Sequence, residues 1–447
     1  MSQLLGEPGG GGLASLVQAH GGEALPIRDL PLPLGLTLVA SALVVAASYL
    51  AVAVTPSAAE RPERRLLPAR AASPLLAVLQ LLLLGGTGLL VFAAISRDVA
   101  GIETVGMGFT PLAFWVGVVL SGLLACALVA LGTDDPGRED PALSTGAARR
   151  PRELVGILLC PALVYGLFWF ELVSGVGFSA DWVLYVGLAY LVFLVAAKPL
   201  VDRSFGVVDP ISTLFGLARR VAPLRWDESG VYYRGVLRGV VGRVPMPVPV
   251  CAALFVVLGA TTLDNARESA PWTDVVSELG LSGLPEWLLG SVALLVFGIL
   301  FHVTFTLAVS ATRRWLDPDQ HDTPVARLLA WSLVPIAVTY LLAHNLTFFL
   351  SGWPLLAAQL VDPLALGWDP FEVRHVLLSF VPSPGAVWFP QIALIVGGHV
   401  AGVLATHRIT ARLTTSREAL LWSLLPLTAL MTAYTVLTLL LLAQPLI

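Results

Sequence analysis

Residues 326–350 read Ala-Arg-Leu-Leu-Ala-Trp-Ser-Leu-Val-Pro-Ile-Ala-Val-Thr-Tyr-Leu-Leu-Ala-His-Asn-Leu-Thr-Phe-Phe-Leu. One arginine opens the stretch, one proline interrupts it, and one histidine, His344, stands toward its far end. A helix needs about 20 apolar residues to cross the hydrocarbon core of a bilayer. This segment has them, with Arg327 as the only residue of fixed charge. The chain is therefore read as a membrane bundle, and the rest of the sequence repeats the pattern.

Ten such runs occur: Leu34–Val54, Leu75–Ser96, Pro111–Leu131, Glu153–Val173, Asp181–Leu200, Met246–Leu263, Trp287–Ala311, Ala326–Leu350, Ala386–His407 and Glu418–Ala443. Twenty-two of the 26 Lys/Arg fall in every second loop, and only Arg28, Arg97, Arg267 and Arg374 lie in the others. Basic loops stay on the cytoplasmic side, so both termini are expected outside. The pattern predicts an all-α bundle of ten spans in the plasma membrane. Its organisation is an outer segment 1–33, spans one to six over 34–263, and spans seven to ten over 264–447. A basic cytoplasmic segment occupies 201–245, and amphipathic outer connectors occupy 264–286 and 351–385. Ile211–Trp226 reads as an interfacial helix on the inner leaflet. Trp353–Leu366 is too short to span and reads as re-entrant or lying on the outer surface.

Composition agrees. The chain is 56% hydrophobic and 13% charged, against about 25% charged in ordinary soluble domains. A net charge of −4 gives nucleic acid no foothold. Cys126, Cys160 and Cys251 are scattered through apolar runs, without disulfide or CxxC spacing. The Gly-rich stretch Met1–Arg28 does not read as a cleaved signal. The lipid bilayer is the expected partner, and the long outer connectors suit a second membrane subunit or another copy of the chain.

Spans seven to ten carry a weak repeat. Span eight opens Arg327-Leu-Leu-Ala-Trp331-Ser-Leu-Val-Pro335, and span ten opens Arg417-Glu-Ala-Leu-Leu-Trp422-Ser-Leu-Leu-Pro426. The descending partners carry Phe301-His302-Val303 and Gly398-His399-Val400. The similarity is that of two hairpins in parallel orientation.

Polar groups at membrane depth are costly and mark function by default. His302 and His399 lie near mid-depth. His344, followed by Asn345, is about two turns from the outer end of its span. Glu171 and Gln391 are near the outer ends of theirs. His20 and His375 belong to outer segments, and His407 to the cytoplasmic face. His344, His399 and His20 converging would suit zinc, copper or iron, with Glu171 as catalytic acid or base. The alternative is structural: polar side chains in membrane bundles often bridge helices by hydrogen bonds. No histidine pair has HxxxH spacing, and there is no phosphate loop, HExxH or GxSxG.

Several short motifs together resemble a prokaryotic membrane family described as fenitrothion hydrolase-like. They are Ala19-His20-Gly21 with Leu30-Pro31-Leu32-Pro33-Leu34, Leu342-Ala343-His344, Asp362-Pro363 with Gly367-Trp368, Gly398-His399-Val400-Ala401 with His407, and Leu425-Pro426-Leu427-Thr428-Ala429-Leu430-Met431 with Tyr434-Thr435. They run in the family's order. The chain departs from it in lacking a clear signal peptide and in carrying Asn345 where relatives have an aromatic residue. The resemblance implies a membrane-embedded hydrolase of organophosphate triesters and singles out His20, His344, His399 and His407. From the sequence, a metal-dependent hydrolase, a solute or proton carrier and a non-catalytic subunit all remain open.

Overall fold

The computed structural model describes residues 34–54, 63–99, 109–131, 151–201, 209–227, 229–241, 244–267, 269–320, 323–362, 366–369, 372–378, 380 and 382–442. The predicted outer segment 1–33, His20 included, lies outside them.

The described residues are mostly helical, and six helices among them are long and apolar enough to cross a membrane. These are α3 (Phe109–Leu128), α7 (Val248–Arg267), α9 (Glu286–Arg313), α10 (Val325–His344), α13 (Pro384–Thr410) and α14 (Arg417–Leu442). Helices also stand at the other four predicted spans: α1 (Leu34–Val54), α2 (Ala69–Val99), α4 (Pro151–Leu172) and α5 (Ala180–Val201). The shorter helices are α6 (Pro210–Val221), α8 (Ala270–Glu278), α11 (Leu346–Val361) and α12 (Val373–Leu378).

An all-α fold is corrected by a small sheet. Strands β1 (Arg64–Pro68), β2 (Val129–Leu131), β3 (Leu224–Asp227) and β4 (Gly230–Tyr233) align in the order β1-β4-β3-β2. Only β2 and β3 are parallel. Strands β1, β3 and β4 come from two connectors that the charge pattern puts on one side, and β2 is the last three residues of the predicted third span. Crowded there, their backbones satisfy one another's N–H and C=O groups. Arg225 joins the layers, donating to Glu63 at 2.9 Å and pairing with Asp227. Their meeting in one sheet is the geometry that the alternation of basic loops requires.

Helix α6 departs from the interfacial reading. Its apolar face is not laid on lipid: Leu214, Leu217, Ala218 and Val221 join the main buried core. Thr213 approaches Cys160, near the middle of α4, at 3.7 Å. Asp209 accepts a hydrogen bond from the hydroxyl of Tyr190, near the middle of α5. At the other end Arg220 lies over Trp331, 4.7 Å from the ring centroid. The helix thus rises into the bundle by its own length, about 18 Å, and returns to the basic side at Arg219 and Arg220. Asp209 closes its buried start, accepting from the N–H groups of Ile211 at 3.2 Å and Ser212 at 3.1 Å. Asp209→Ala would leave these two donors and the Tyr190 hydroxyl without an acceptor, at a cost of about 3 kcal/mol. Thermal unfolding of the purified chain reads this loss, and Asp209→Asn, which keeps an acceptor oxygen, should lose less.

Span eight ends early. The predicted run to Leu350 breaks at His344, and α11 begins at Leu346. The cause is local. Both the side-chain amide and the backbone N–H of Asn345 donate to the Leu341 carbonyl, at 3.0 and 3.2 Å. A short polar side chain competing for that carbonyl offers the backbone a way out of the helix. The stretch read as re-entrant or on the outer surface is most of α11, a 16-residue helix with Phe348, Gly352, Leu355 and Leu356 buried. Gly352 packs on Val116, within an eight-residue π-helical segment of α3, Ala113–Leu120. Pro335 stands in the first turn of the helix that follows a tight 3-10 turn over Ala330–Leu333, where its missing N–H costs no hydrogen bond.

Candidate functional site

Three helices, α4, α7 and α10, end on the side away from the sheet, and each brings one ionisable residue to its last turn or so. They are Glu171, Asp264 and His344. His344 Nε2 lies 2.5 Å from Asp264 Oδ2, with side chains 13% and 15% exposed. Glu171 is half-buried and close enough to interact electrostatically with both. Arg267, one turn after Asp264, donates to the carbonyl of Leu172 and so ties the end of α7 to the end of α4. With both carboxylates ionised, the four groups sum to one negative charge when His344 is neutral and to zero when it carries a proton.

The cluster stands on a hydrogen-bonded base. Asn265 donates to the Tyr340 hydroxyl at 2.8 Å and to the Thr261 carbonyl at 3.0 Å. Tyr340 is one turn before His344 and 3% exposed. Gln391 reaches from α13 to the carbonyl of Ala343 at 3.1 Å. Beside the cluster runs a narrow cleft lined by Glu171, Asn345, Trp115, Phe168, Leu341 and Phe348. It has room for little more than a water molecule. Trp115 fixes one wall, its indole N–H donating to the Gly177 carbonyl at 2.8 Å.

The predicted residues separate into different environments. Helices α10 and α13 do pack side by side, but His344 turns to Asp264 of α7 and not to His399. Gln391 lies against Ala343, and Gly398 against Pro335 and Thr339. That register sets His399 about two turns, roughly 11 Å, from the level of His344. His399 is 1% exposed, and its Nδ1–H donates to the Ile395 carbonyl at 2.7 Å. The other ring nitrogen, Nε2, is buried with no hydrogen-bond partner among the described residues. His302, at the matching position of the suspected repeat, is exposed on the outside of α9, its ring edge-on to Phe255 at 5.0 Å. His407, expected at a solvated face, is 4% exposed because α13 continues past it into buried Ile409 and Thr410. His375 is in α12, and its side chain lies outside the described residues, as does all of His20.

Two donors of one tetrahedral zinc ion stand about 3.4 Å apart, whereas His344 and Asp264 meet directly at 2.5 Å. Among the described residues no three His, Cys, Asp or Glu are placed to hold an ion.

Asp264 and Arg267 were missed by the sequence reading because the sixth span was ended at Leu263. The helix runs on to Arg267. The signal present was the Asp264-Asn265 pair directly after an apolar run, on the same side as Glu171. One motif behind the family resemblance has a structural role: Asp362 accepts from the backbone N–H groups of Leu366, Gly367 and Trp368 at 2.8, 2.7 and 3.2 Å. Gly367 supplies the positive φ, +82°, that this turn needs.

No protein family, curated protein or solved structure matches this chain. The resemblance to the fenitrothion hydrolase-like family therefore stands on its short motifs, and the function on the geometry above.

Proposed function

We propose that this chain is a multi-pass membrane carrier that exchanges a proton for a small cation at the Glu171–Asp264–His344 cluster. The observation that carries this reading is the direct His344–Asp264 contact at the convergence of three helix ends. An imidazole changes charge in the physiological range of pH. With Arg267 counted, protonated His344 leaves the cluster neutral. Loss of that proton leaves one negative charge in a poorly solvated site, where a small cation restores balance. Ionisable residues at such depth mark proton and ion paths. The cleft beside the cluster accepts nothing as large as a phosphotriester without rearrangement.

A second reading keeps the metal-dependent hydrolase implied by the resemblance. Its support is the donor chemistry, one imidazole with two carboxylates, which suits zinc or iron. The direct contact between two of those donors favours protons over a metal. Elemental analysis distinguishes the readings: a stoichiometric metal lost in His344→Gln would favour the hydrolase.

The carrier reading is tested in liposomes holding the purified chain and an internal pH dye. Gradients of sodium, potassium, ammonium and small amines should drive a pH change for at least one of them, and Asp264→Asn should abolish it. Fluxes equal to those of empty liposomes for every cation would overturn the assignment.

A further inference from the structure

We infer that strand β1 and the start of α2 form a binding surface for anionic phospholipid headgroups of the inner leaflet. The site is independent of the outer cluster and lies at the opposite end of the bundle.

The placement follows from lengths. Helix α2 has 31 residues and begins at Ala69, directly after the last residue of β1. It rises about 46 Å, whereas the hydrocarbon core is about 30 Å and the bilayer with its headgroups about 40–45 Å. One end of α2 therefore reaches the headgroup plane, and β1 lies at that level without a linker to carry it away.

The chemistry at that level is that of an anionic interface. All five residues of β1, Arg64-Arg65-Leu66-Leu67-Pro68, are exposed, and so is Arg70 in the first turn of α2. Strand β1 is an edge of the sheet, paired with β4 on one side only. A bulge between Arg65 and Leu67 breaks the alternation, so Leu66 and Leu67 are 47% and 40% exposed together. Arg64 pairs across the ladder with Tyr233, which is 52% exposed. Leucine and tyrosine beside arginine is the composition that settles at a membrane surface, the rings and aliphatic groups below and the cations at the phosphates.

The cations also differ in how far they are used. Arg65 is held by the fold, donating to the Ser229 carbonyl at 2.7 Å and lying over Tyr232. Arg225 and Arg238 have Glu63 as a counter-charge. Arg64 and Arg70 have no acidic partner among the described residues. Two cations without counter-charge among the described residues, next to exposed apolar side chains at the headgroup plane, match a phosphodiester anion on an acyl anchor. A free phosphate in solution would use the arginines and leave the leucines and tyrosine without a role.

The test uses the full purified chain, delipidated and offered mixed micelles of phosphatidylglycerol and phosphatidylcholine in equal amounts. Retained lipid is then quantified by mass spectrometry. Wild type should retain phosphatidylglycerol in excess. Arg64→Gln with Arg70→Gln should lower that preference roughly thirtyfold, since each surface cation contributes about 1 kcal/mol toward an anionic leaflet. Leu66→Ser with Leu67→Ser, which keeps every charge, should weaken retention of both lipids at this site. Arg417→Gln, an exposed cation at the start of α14, should leave the preference unchanged. Equal retention of the two lipids by wild type, an unaltered preference in the double arginine variant, or an equal loss in Arg417→Gln would each overturn the inference. Thermal unfolding in detergent confirms that each variant is folded before it is scored.

Discussion

Asp264→Ala is expected to destabilise the chain by about 3 kcal/mol, and His344→Ala by a comparable amount, while the double variant should lose little more than either one. The reason is the poorly solvated setting of the pair. Removing one member of a buried pair leaves the other without its partner in a medium that solvates charge badly, and such losses are typically about 3–5 kcal/mol. Removing both takes away the cost along with the attraction. The double-mutant cycle isolates that coupling. Thermal unfolding of the four proteins in one detergent measures it, and additive losses would show that the two side chains do not depend on each other. Asp264→Asn separates folding from function. The amide keeps shape and hydrogen-bonding capacity, so stability should fall by only about 1 kcal/mol. It cannot change charge, so cation-driven proton flux should disappear. A carrier still fully active with asparagine at 264 would end the proton-exchange reading, whatever the stability data say.

Gly398→Ala is expected to damage the packing of α10 against α13. A Cβ at this position would overlap the Thr339 hydroxyl and stand 3.0 Å from the Pro335 carbonyl. Helices α10 and α13 approach closely here, and Gly402 repeats the contact one turn on, where a Cβ would come 2.8 Å from the Ser332 carbonyl. Overpacking of this kind costs typically 1–3 kcal/mol. Gly397→Ala is the control: a Cβ there would meet nothing within 4 Å, and alanine is the better helix former by up to about 1 kcal/mol. Thr339→Ala combined with Gly398→Ala removes the nearer obstacle and should recover part of the loss. Equal unfolding temperatures for the alanine variants at 397 and 398 would contradict the observed helix contact. The contact also positions function, since it sets the register that puts Gln391 beside Ala343, next to His344.

The outer cluster was only partly legible before folding. His344 and Glu171 stood out because an imidazole and a carboxylate inside apolar runs are costly. Asp264 did not, because a residue just past an apolar run reads as a loop residue until the helix is seen to continue. His302 and His399 looked alike in sequence, each near the middle of a descending span, yet one is exposed on the outside of the bundle and the other is 1% exposed. A helical run that is apolar all round gives no facing information, so its hydropathy cannot say which side meets lipid.

What the sequence by itself determined is where the chain is apolar enough to cross a membrane and which connectors share a side. Both depend on transfer free energies summed along the chain, and a linear string carries such sums in full. The tertiary structure decided which ionisable groups meet, that α6 enters the bundle in place of lying on its surface, and that two basic connectors and the end of the third span close into a sheet. Those outcomes depend on contacts between residues far apart in sequence, such as Asp264 with His344 and Arg64 with Tyr233. Their energies arise only when helix ends and strand edges are brought together in space.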